Sequence, residues 1–332
     1  MKIGLVRFSS LGDVLLTTGV IRELKRRLPD TQITMITSSR YSDIFAFNPN
    51  LDNLIVLEGK RPGDLLRLAK RVRNEAFDII ADLHLNLRSL FVSLSSKSRG
   101  RLHYSKCRWP RSMMVFRKER RRLDHVVTRY FRPFEELGLK LTNPRPEIWI
   151  DDATKRRMDF FLGNPRIPLV AISPGARRPT KRWIAEGYGE LCKLLIELEG
   201  ARVVLVGDTD DTRVASRVKG IVGRELIDLT GKTSLLELAS VLARCSAVVT
   251  NDSGPMHMAA AVNTPIVAIF GPTVPEFGFS PLGKAEVIQK ELPCRPCSLH
   301  GSERCTKNGF KCMRLITADE VFHVVSGVLN DR

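Results

Sequence analysis

A chain of 332 residues with 43% hydrophobic and 27% charged side chains is long enough for two ordinary domains and too apolar for a disordered polymer. It has no uninterrupted apolar stretch of the roughly 18–20 residues that a membrane helix needs. The short apolar start from Met1 to Val6, followed by Asp13, is no secretory signal, so a cytoplasmic location is expected. A formal net charge of +17 calls for acidic partners: nucleic acid, an anionic membrane surface or a phosphorylated substrate.

The first half opens with a strand, Lys2 to Arg7, then a helix from about Val14 to Leu28 with Val14, Thr17, Ile21, Leu24 and Leu28 on one face. Strand-like runs follow at Ile33–Thr37, Leu54–Leu57 and Asp78–Asp82, with a helical stretch from Gly63 to Glu75 between the last two. Between Arg99 and Arg132 stand twelve Lys or Arg against two acids, Glu119 and Asp124, around an apolar centre of Trp109 and Met113 to Phe116. Such a mixture suits contact with anionic lipid headgroups; a solvated basic face is the plainer alternative. The run lacks interleaved aromatics and the chain lacks a helix-turn-helix or RNP-like signal, so no nucleic acid is expected.

The strand–helix rhythm breaks at Thr142-Asn143-Pro144-Arg145-Pro146 and restarts beyond it. Strands are expected at Leu169–Ser173, Arg202–Val206, Leu226–Leu229, Ala247–Thr250 and Pro265–Phe270. Helices are expected at Ile184–Leu198, Thr209–Val222, Ser234–Ala243 and Pro255–Val262. Alternating elements with β-branched strands predict an α/β protein of two Rossmann-like domains, 1–155 and 156–332, facing across a cleft, with the last helix free to pack back on the first.

Neither half carries G-x-G-x-x-G or G-x-x-x-x-G-K-[ST], which weakens dehydrogenase and P-loop readings. The anion sites must be built from other strand-to-helix turns. In Ser10-Leu11-Gly12-Asp13, Gly12 permits a tight turn, and Asp13 projects from the strand's carboxyl edge as a general base or serves as a helix cap. Ser173-Pro174-Gly175-Ala176 followed by Thr180-Lys181-Arg182-Trp183 supplies a glycine turn, a hydroxyl and a cation pair, as a diphosphate requires; Lys181 would neutralise charge on the leaving group. Asp208 either accepts ribose hydroxyls or caps the next helix, and Thr233 lies in a turn that could touch the nucleotide. In Thr250-Asn251-Asp252-Ser253-Gly254-Pro255-Met256-His257 a strand turns into a helix: Asp252 or Ser253 caps it, Gly254 admits a ligand, and Pro255 suits a first helical position. The N–H groups of that helix start attract an anion, and His257 sits one turn inside.

Seven cysteines without a secretory context argue against a disulfide framework. Cys294, Cys297, Cys305 and Cys312 cluster, but their spacing is looser than a zinc site prefers; no metal is expected, with this quartet the one candidate.

These segments, in order, resemble the ADP-heptose:lipopolysaccharide heptosyltransferases, glycosyltransferase family 9, with the lysine-arginine-tryptophan loop and the Asn251–Gly254 turn closest to the heptosyltransferase II branch. The resemblance also rests on Thr230-Gly231-Lys232-Thr233-Ser234 and Phe270-Gly271-Pro272-Thr273. It implies the GT-B fold and an inverting transfer of heptose from an ADP-heptose donor to an inner-core sugar, with a Kdo-lipid A type acceptor at the cytoplasmic face of the inner membrane. No cofactor or divalent metal is required on that reading. Asp13 matches the aspartate regarded as catalytic base, Lys181 the lysine on the donor phosphates, and Asp252, Ser253, Gly254 and His257 the turn that holds ADP. Gly12 and Thr180 flank these positions, and Asp208 and Thr233 align with ribose and adenine contacts. The alternatives are a relative with another acceptor, a different core position or a protein, and a non-catalytic nucleotide- or nucleic-acid-binding module.

Overall fold

The computed structural model describes residues 1–59, 61–163, 166–223 and 226–331. The chain divides into two compact units: Met1–Arg108 with Asp124–Trp149, and Trp109–Leu123 with the chain from Ile150 onward. Each is a parallel α/β unit.

In the first unit, β1 (Lys2–Val6) leads into α1 (Leu11–Arg27), followed by β2 (Gln32–Ser38) and β3 (Asn53–Leu57). Next come α2 (Pro62–Asn74), β4 (Ile79–Asp82), α3 (Leu87–Ser95) and β5 (Gly100–His103). The helix α4 (Arg108–Arg117) then leaves this unit, and α5 (Val126–Glu135) returns to it. Among the described residues five strands pair in parallel in the order β3-β2-β1-β4-β5. Ile3 to Val6 are wholly enclosed along β1, as expected of a strand covered on both faces by helices. Chain order reverses beside β1, between β2 and β4, and open α/β sheets present ligand sites at the carboxyl edge there.

The second unit runs α6 (Asp152–Leu162), β6 (Leu169–Ser173), α7 (Ala185–Leu198), β7 (Arg202–Leu205), α8 (Thr212–Val222), β8 (Ile227–Asp228) and α9 (Leu235–Arg244). It continues through β9 (Ala247–Asn251), α10 (Gly254–Ala261), β10 (Ile266–Phe270), β11 (Ala285–Gln289), the short α11 (Lys311–Arg314) and α12 (Ala318–Asn330). The described strands order as β11-β10-β9-β6-β7-β8, all parallel, so the reversal falls between β6 and β9. β6, β9 and β10 are buried along their whole length.

One segment crosses the simple division near residue 155. The basic segment Trp109–Leu123 belongs to the second unit: Arg111 lies over the rings of Phe277 and Phe279 at 5.2 Å, and Met114 is buried with Val274 and Phe277. The last helix packs on α7, β9 and β10 of its own unit. Its apolar stripe, Val321 and Val325, joins the second unit's core. No helix among the described residues is long and apolar enough to cross a membrane.

Candidate active site

The carboxyl edge of β1 carries a buried polar cluster. Asp13 occupies the third position of α1 and accepts from the Ser10 backbone N–H (3.3 Å) and the Ser10 hydroxyl (2.8 Å), both on Oδ2. It thereby satisfies the helix start as a capping-box acid does while its other oxygen faces the sheet edge. Oδ1 takes the Arg7 guanidinium at 2.8 Å and the Tyr130 hydroxyl at 2.9 Å. Arg7 is itself fixed: it donates to the Ser9 carbonyl (2.7 Å), the Leu83 carbonyl and the Tyr104 hydroxyl (3.4 Å), and stands 5.4 Å from the centre of the Tyr130 ring. Burial would raise the Asp13 pKa, but Arg7, Ser10 and Tyr130 outweigh it and hold the carboxyl at about 2. Its side chain keeps 18% of its surface exposed, so a ligand can reach it.

The loop after β4 closes the same cluster. Asp82 Oδ1 accepts from the backbone N–H groups of His84 and Leu85, both at 2.8 Å, and so holds the turn. His84 Nδ1 accepts from the Phe8 N–H (3.3 Å). Burial first, then the positive charges of Arg7, Lys106 and Arg88, push its pKa down to about 3, so the imidazole is neutral. Burial holds the Tyr130 hydroxyl well above the usual phenol range, which keeps it a donor. Arg7, Tyr130, Asp82 and His84 escaped the sequence reading. Arg7 and His84 sit at or just past strand ends and were open to notice there; Tyr130 is a hundred residues away in a segment that reads only as basic.

In the second unit both glycine turns meet at the reversal of the sheet. Asn251, at the end of β9, donates through Nδ2 to the carbonyls of Pro174 and Gly175 (3.0 Å each) and accepts from the Trp183 N–H through Oδ1 (2.9 Å). One amide side chain thus ties the β6 turn, the Lys181 loop and the β9 turn together. Lys181 Nζ pairs with Asp252 Oδ2 at 2.7 Å, and the Thr273 hydroxyl donates to the same oxygen at 2.7 Å. Burial would raise the Asp252 carboxyl, yet Lys181, Thr273 and the nearby His257 keep it below its ordinary value. Ser253 occupies the N-cap position of α10 without a side-chain capping hydrogen bond; its hydroxyl lies 3.3 Å from that of Thr250. Gly254 opens the helix, and His257 is buried inside it.

Other predicted positions have local duties. The Thr180 hydroxyl donates to the Ser302 carbonyl (2.9 Å) and accepts from the Ser302 N–H (2.7 Å), so it anchors the Lys181 loop to the Cys-rich segment. Gly301, at φ +78°, lies under the Lys181 stem: a Cβ there would come within 2.7 Å of Lys181 Cγ. The Asp208 side chain accepts from the Asp210 N–H (2.9 Å) and caps the turn after β7, the second of its two expected roles. Thr233 is half-buried just ahead of Ser234, which caps α9. Gly12 is buried in the first turn of α1. Asp211, unremarked in the sequence, reaches back under the glycine turns. A Cβ on Gly175 would fall about 2.0 Å from its carboxyl carbon, and burial with Asp208 nearby raises its pKa.

Among the described residues no three His, Cys, Asp or Glu side chains gather closely enough to hold a metal ion. Cys294 and Cys297 are half-buried, Cys305 exposed and Cys312 buried, and burial raises the Cys297 and Cys312 thiols above their ordinary range. Part of the basic stretch is committed within the protein, while Arg108, Arg117, Arg121 and Arg122 stand exposed beside Trp109 and Phe116. Arg101 donates to the Ser96 carbonyl, Lys106 to that of Leu85, Arg129 to that of Lys106 and Lys118 to that of Pro296, while Arg132 pairs with Asp124.

Two parallel α/β units, each with polar side chains gathered at its strand reversal, define a GT-B type glycosyltransferase. The family model for glycosyltransferase family 9 (heptosyltransferase) matches residues 65–306, and the chain belongs to that family. Lipopolysaccharide heptosyltransferase 2 of Salmonella typhimurium is 30% identical over 317 residues, covering 87% of this chain and 88% of the relative. The solved structure of Escherichia coli ADP-heptose lps heptosyltransferase II superposes with a TM-score of 0.78 at 26% identity, covering 100% and 99% of the two chains. A glycosyl transferase family 9 structure from Veillonella parvula gives a TM-score of 0.86 at 23% identity, with 100% and 98% covered. Membership of a transferase family sets aside the non-catalytic nucleic-acid module.

Proposed function

We propose that this enzyme moves heptose from ADP-L-glycero-β-D-manno-heptose to an inner-core sugar of lipopolysaccharide, with inversion and without a metal ion. The acceptor hydroxyl attacks the anomeric carbon from the face opposite the diphosphate. As the new C–O bond forms, the bond to the diphosphate breaks and its electron pair leaves with ADP. The hydroxyl proton passes to Asp13 Oδ2, the oxygen now held by Ser10, while Arg7 and Tyr130 keep Oδ1 fixed. A carboxylate with a pKa of about 2 is a weak base, so it takes the proton late, once the attacking oxygen has been acidified by bond formation. Lys181, now paired with Asp252, turns to the departing phosphate and neutralises the developing charge, and the start of α10 supplies backbone N–H groups to the same anion.

The observation that carries this reading is the Asp13 carboxylate, held on Oδ1 by Arg7 and Tyr130 and on Oδ2 by Ser10 at the sheet reversal, and still partly exposed. Because the acceptor is lipid-anchored, the same reading puts the enzyme at the cytoplasmic face of the inner membrane, where a net charge of +17 suits anionic headgroups. A thermal-shift series with ADP, UDP and GDP tests the donor class. A ligand that binds only the folded state at about 100 times its Kd adds about 2.7 kcal/mol of stability. ADP and ADP-heptose should raise the melting midpoint most; a preference for uridine nucleotides would overturn the donor assignment.

A further inference from the structure

The helix α3 is turned inside out. Its exposed positions are Leu87, Leu90, Phe91 and Leu94, at 87%, 43%, 39% and 60% exposure, with the exposed Arg88 among them. The face it buries is Ser89, Val92 and Ser93. Spacings of three, four and seven residues put the apolar side chains on one stripe. A soluble helix normally buries such a stripe and exposes its serines.

Hydrogen bonds fix this orientation. Asn86 caps the helix by accepting from the Ser89 N–H (2.9 Å), and its own N–H donates to Ser89 Oγ (3.0 Å). Arg101, from β5, donates to the carbonyls of Ser93 (3.3 Å) and Ser96 (2.9 Å) at the other end. Rolling α3 to hide its leucines would break these contacts. Its neighbour α2 packs alongside and exposes Leu66 together with Arg67, Lys70, Arg71 and Arg73. Lys97 and Arg99 stand exposed just past the end of α3. Of the acids nearby, Asp64 pairs with Arg67 and Asp78 stands 3.8 Å from Arg99, and with Glu58 and Glu75 they are outnumbered by Arg61, Arg67, Lys70, Arg71, Arg73, Arg88, Lys97 and Arg99.

We infer that the α2–α3 face is the surface that enters an anionic lipid bilayer, with the α3 stripe among the acyl-chain ends of the headgroups and the α2 cations on the phosphates. Four large apolar side chains ringed by cations are what an interfacial helix needs. Charge decides between occupants. A second copy of this face would set cations against cations, whereas an anionic surface complements them. The surface also has a functional position. α3 begins three residues after His84, on the loop that closes the Asp13 cluster, so a docked α3 presents Asp13 to headgroup sugars. This rests on the peripheral reading above but assigns it to α3 rather than to the Arg99–Arg132 stretch.

Co-sedimentation with phosphatidylcholine vesicles, with and without phosphatidylglycerol, tests it. The wild-type protein should bind the anionic vesicles, and rising salt should weaken that binding. A Leu90→Gln/Leu94→Gln protein should lose about tenfold or more in vesicle affinity, since two apolar side chains no longer leave water for lipid. Its melting midpoint and its transfer to a delipidated, soluble acceptor should stay unchanged. Leu87→Gln, at the most exposed position, provides the same reading should the double variant melt early. Wild-type binding that neither variant reduces would overturn the α3 surface and leave the peripheral reading standing. Absence of wild-type binding to any vesicle would overturn both. A wild-type dimer that the variants turn into monomer, without vesicle binding, would reassign the face to self-association.

Discussion

At the strand reversal of each unit a largely buried carboxylate faces a cation and hydroxyl donors, and the two arrangements differ in what can move. Asp13 faces Arg7, whose planar fork is committed to the Ser9 and Leu83 carbonyls and to Tyr104 as well. Asp252 faces Lys181, a point charge on a flexible stem that bends over Gly301. A guanidinium locked at several points cannot follow a ligand; an ammonium with rotatable donors can exchange a carboxylate for a phosphate at small cost. On the proposed mechanism the first unit would keep a fixed acceptor of protons, and the second a transferable positive charge. An inverting transfer needs both, one oriented before the reaction and one that follows the leaving group.

The largest effect should come from the fixed side. Asp13→Ala should lower kcat about 10²–10⁴-fold, the usual contribution of a positioned general base, while ADP affinity by calorimetry stays near wild type. Turnover retained in that variant would remove Asp13 from proton transfer. Lys181→Ala should act on the other side of the reaction, costing about 10²-fold in kcat/KM and weakening ADP binding as well. It also takes the ion-pair partner from the buried Asp252, leaving Thr273 and the nearby His257, so the melting midpoint should drop by the equivalent of about 1–3 kcal/mol. If Lys181→Ala lowers kcat with ADP affinity untouched, the ammonium is not on the diphosphate.

Much of this was open to reading in the residues. The runs Leu169–Ser173 and Ala247–Thr250 are uniformly apolar and β-branched because buried parallel strands need apolar side chains on both faces, and they lie where β6 and β9 stand. The three turns that gather site residues were visible because glycine and capping residues follow a strand in each case. The segment from 83 to 141 was not legible in the same way. α3 carries its leucines outward and its serines inward, so periodicity there does not mark a core, and α4 spends its apolar residues on the other unit. Tyr130 reaches Asp13 from α5, and no local spacing encodes a contact across 117 positions. Asp211 was hidden for another reason: its role depends on the empty space at Gly175 and Gly207, which only the folded turns reveal.

Acid should separate the two units next. Folded His84 stays neutral down to about pH 3, while in the unfolded chain it takes up a proton near 6.5. Its contribution is thus intact above pH 6.5 and lost as pH falls toward 3, at up to about 1.4 kcal/mol per pH unit. Asp13, lowered from 3.8 to about 2, adds a loss of the same sense in that narrower, more acidic window. Melting midpoints between pH 7.5 and 4.5 should decline in the wild type and decline less in His84→Asn, whose amide oxygen still accepts from Phe8. Equal slopes in the two proteins would place the acid sensitivity elsewhere.

The smallest expected effect is the sharpest probe of the fixed side. Tyr130→Phe removes only the hydroxyl that donates to Asp13 Oδ1 and keeps the ring that stacks edge-on against Tyr104 at 4.8 Å and faces Arg7. Arg7 stays on the same oxygen, so the carboxylate remains charged and near its place. The stability cost should be about 1 kcal/mol, the ordinary net worth of one hydrogen bond. The Asp13 carboxyl should titrate at higher pH by NMR, because one hydrogen bond that favours the anion is gone. A higher pKa makes a stronger base that is less firmly aimed, and the two changes oppose each other, leaving kcat within about tenfold of wild type. A collapse of kcat as deep as that of Asp13→Ala, with the fold intact, would mean that the phenol itself meets the acceptor and that the carboxylate serves only to hold it.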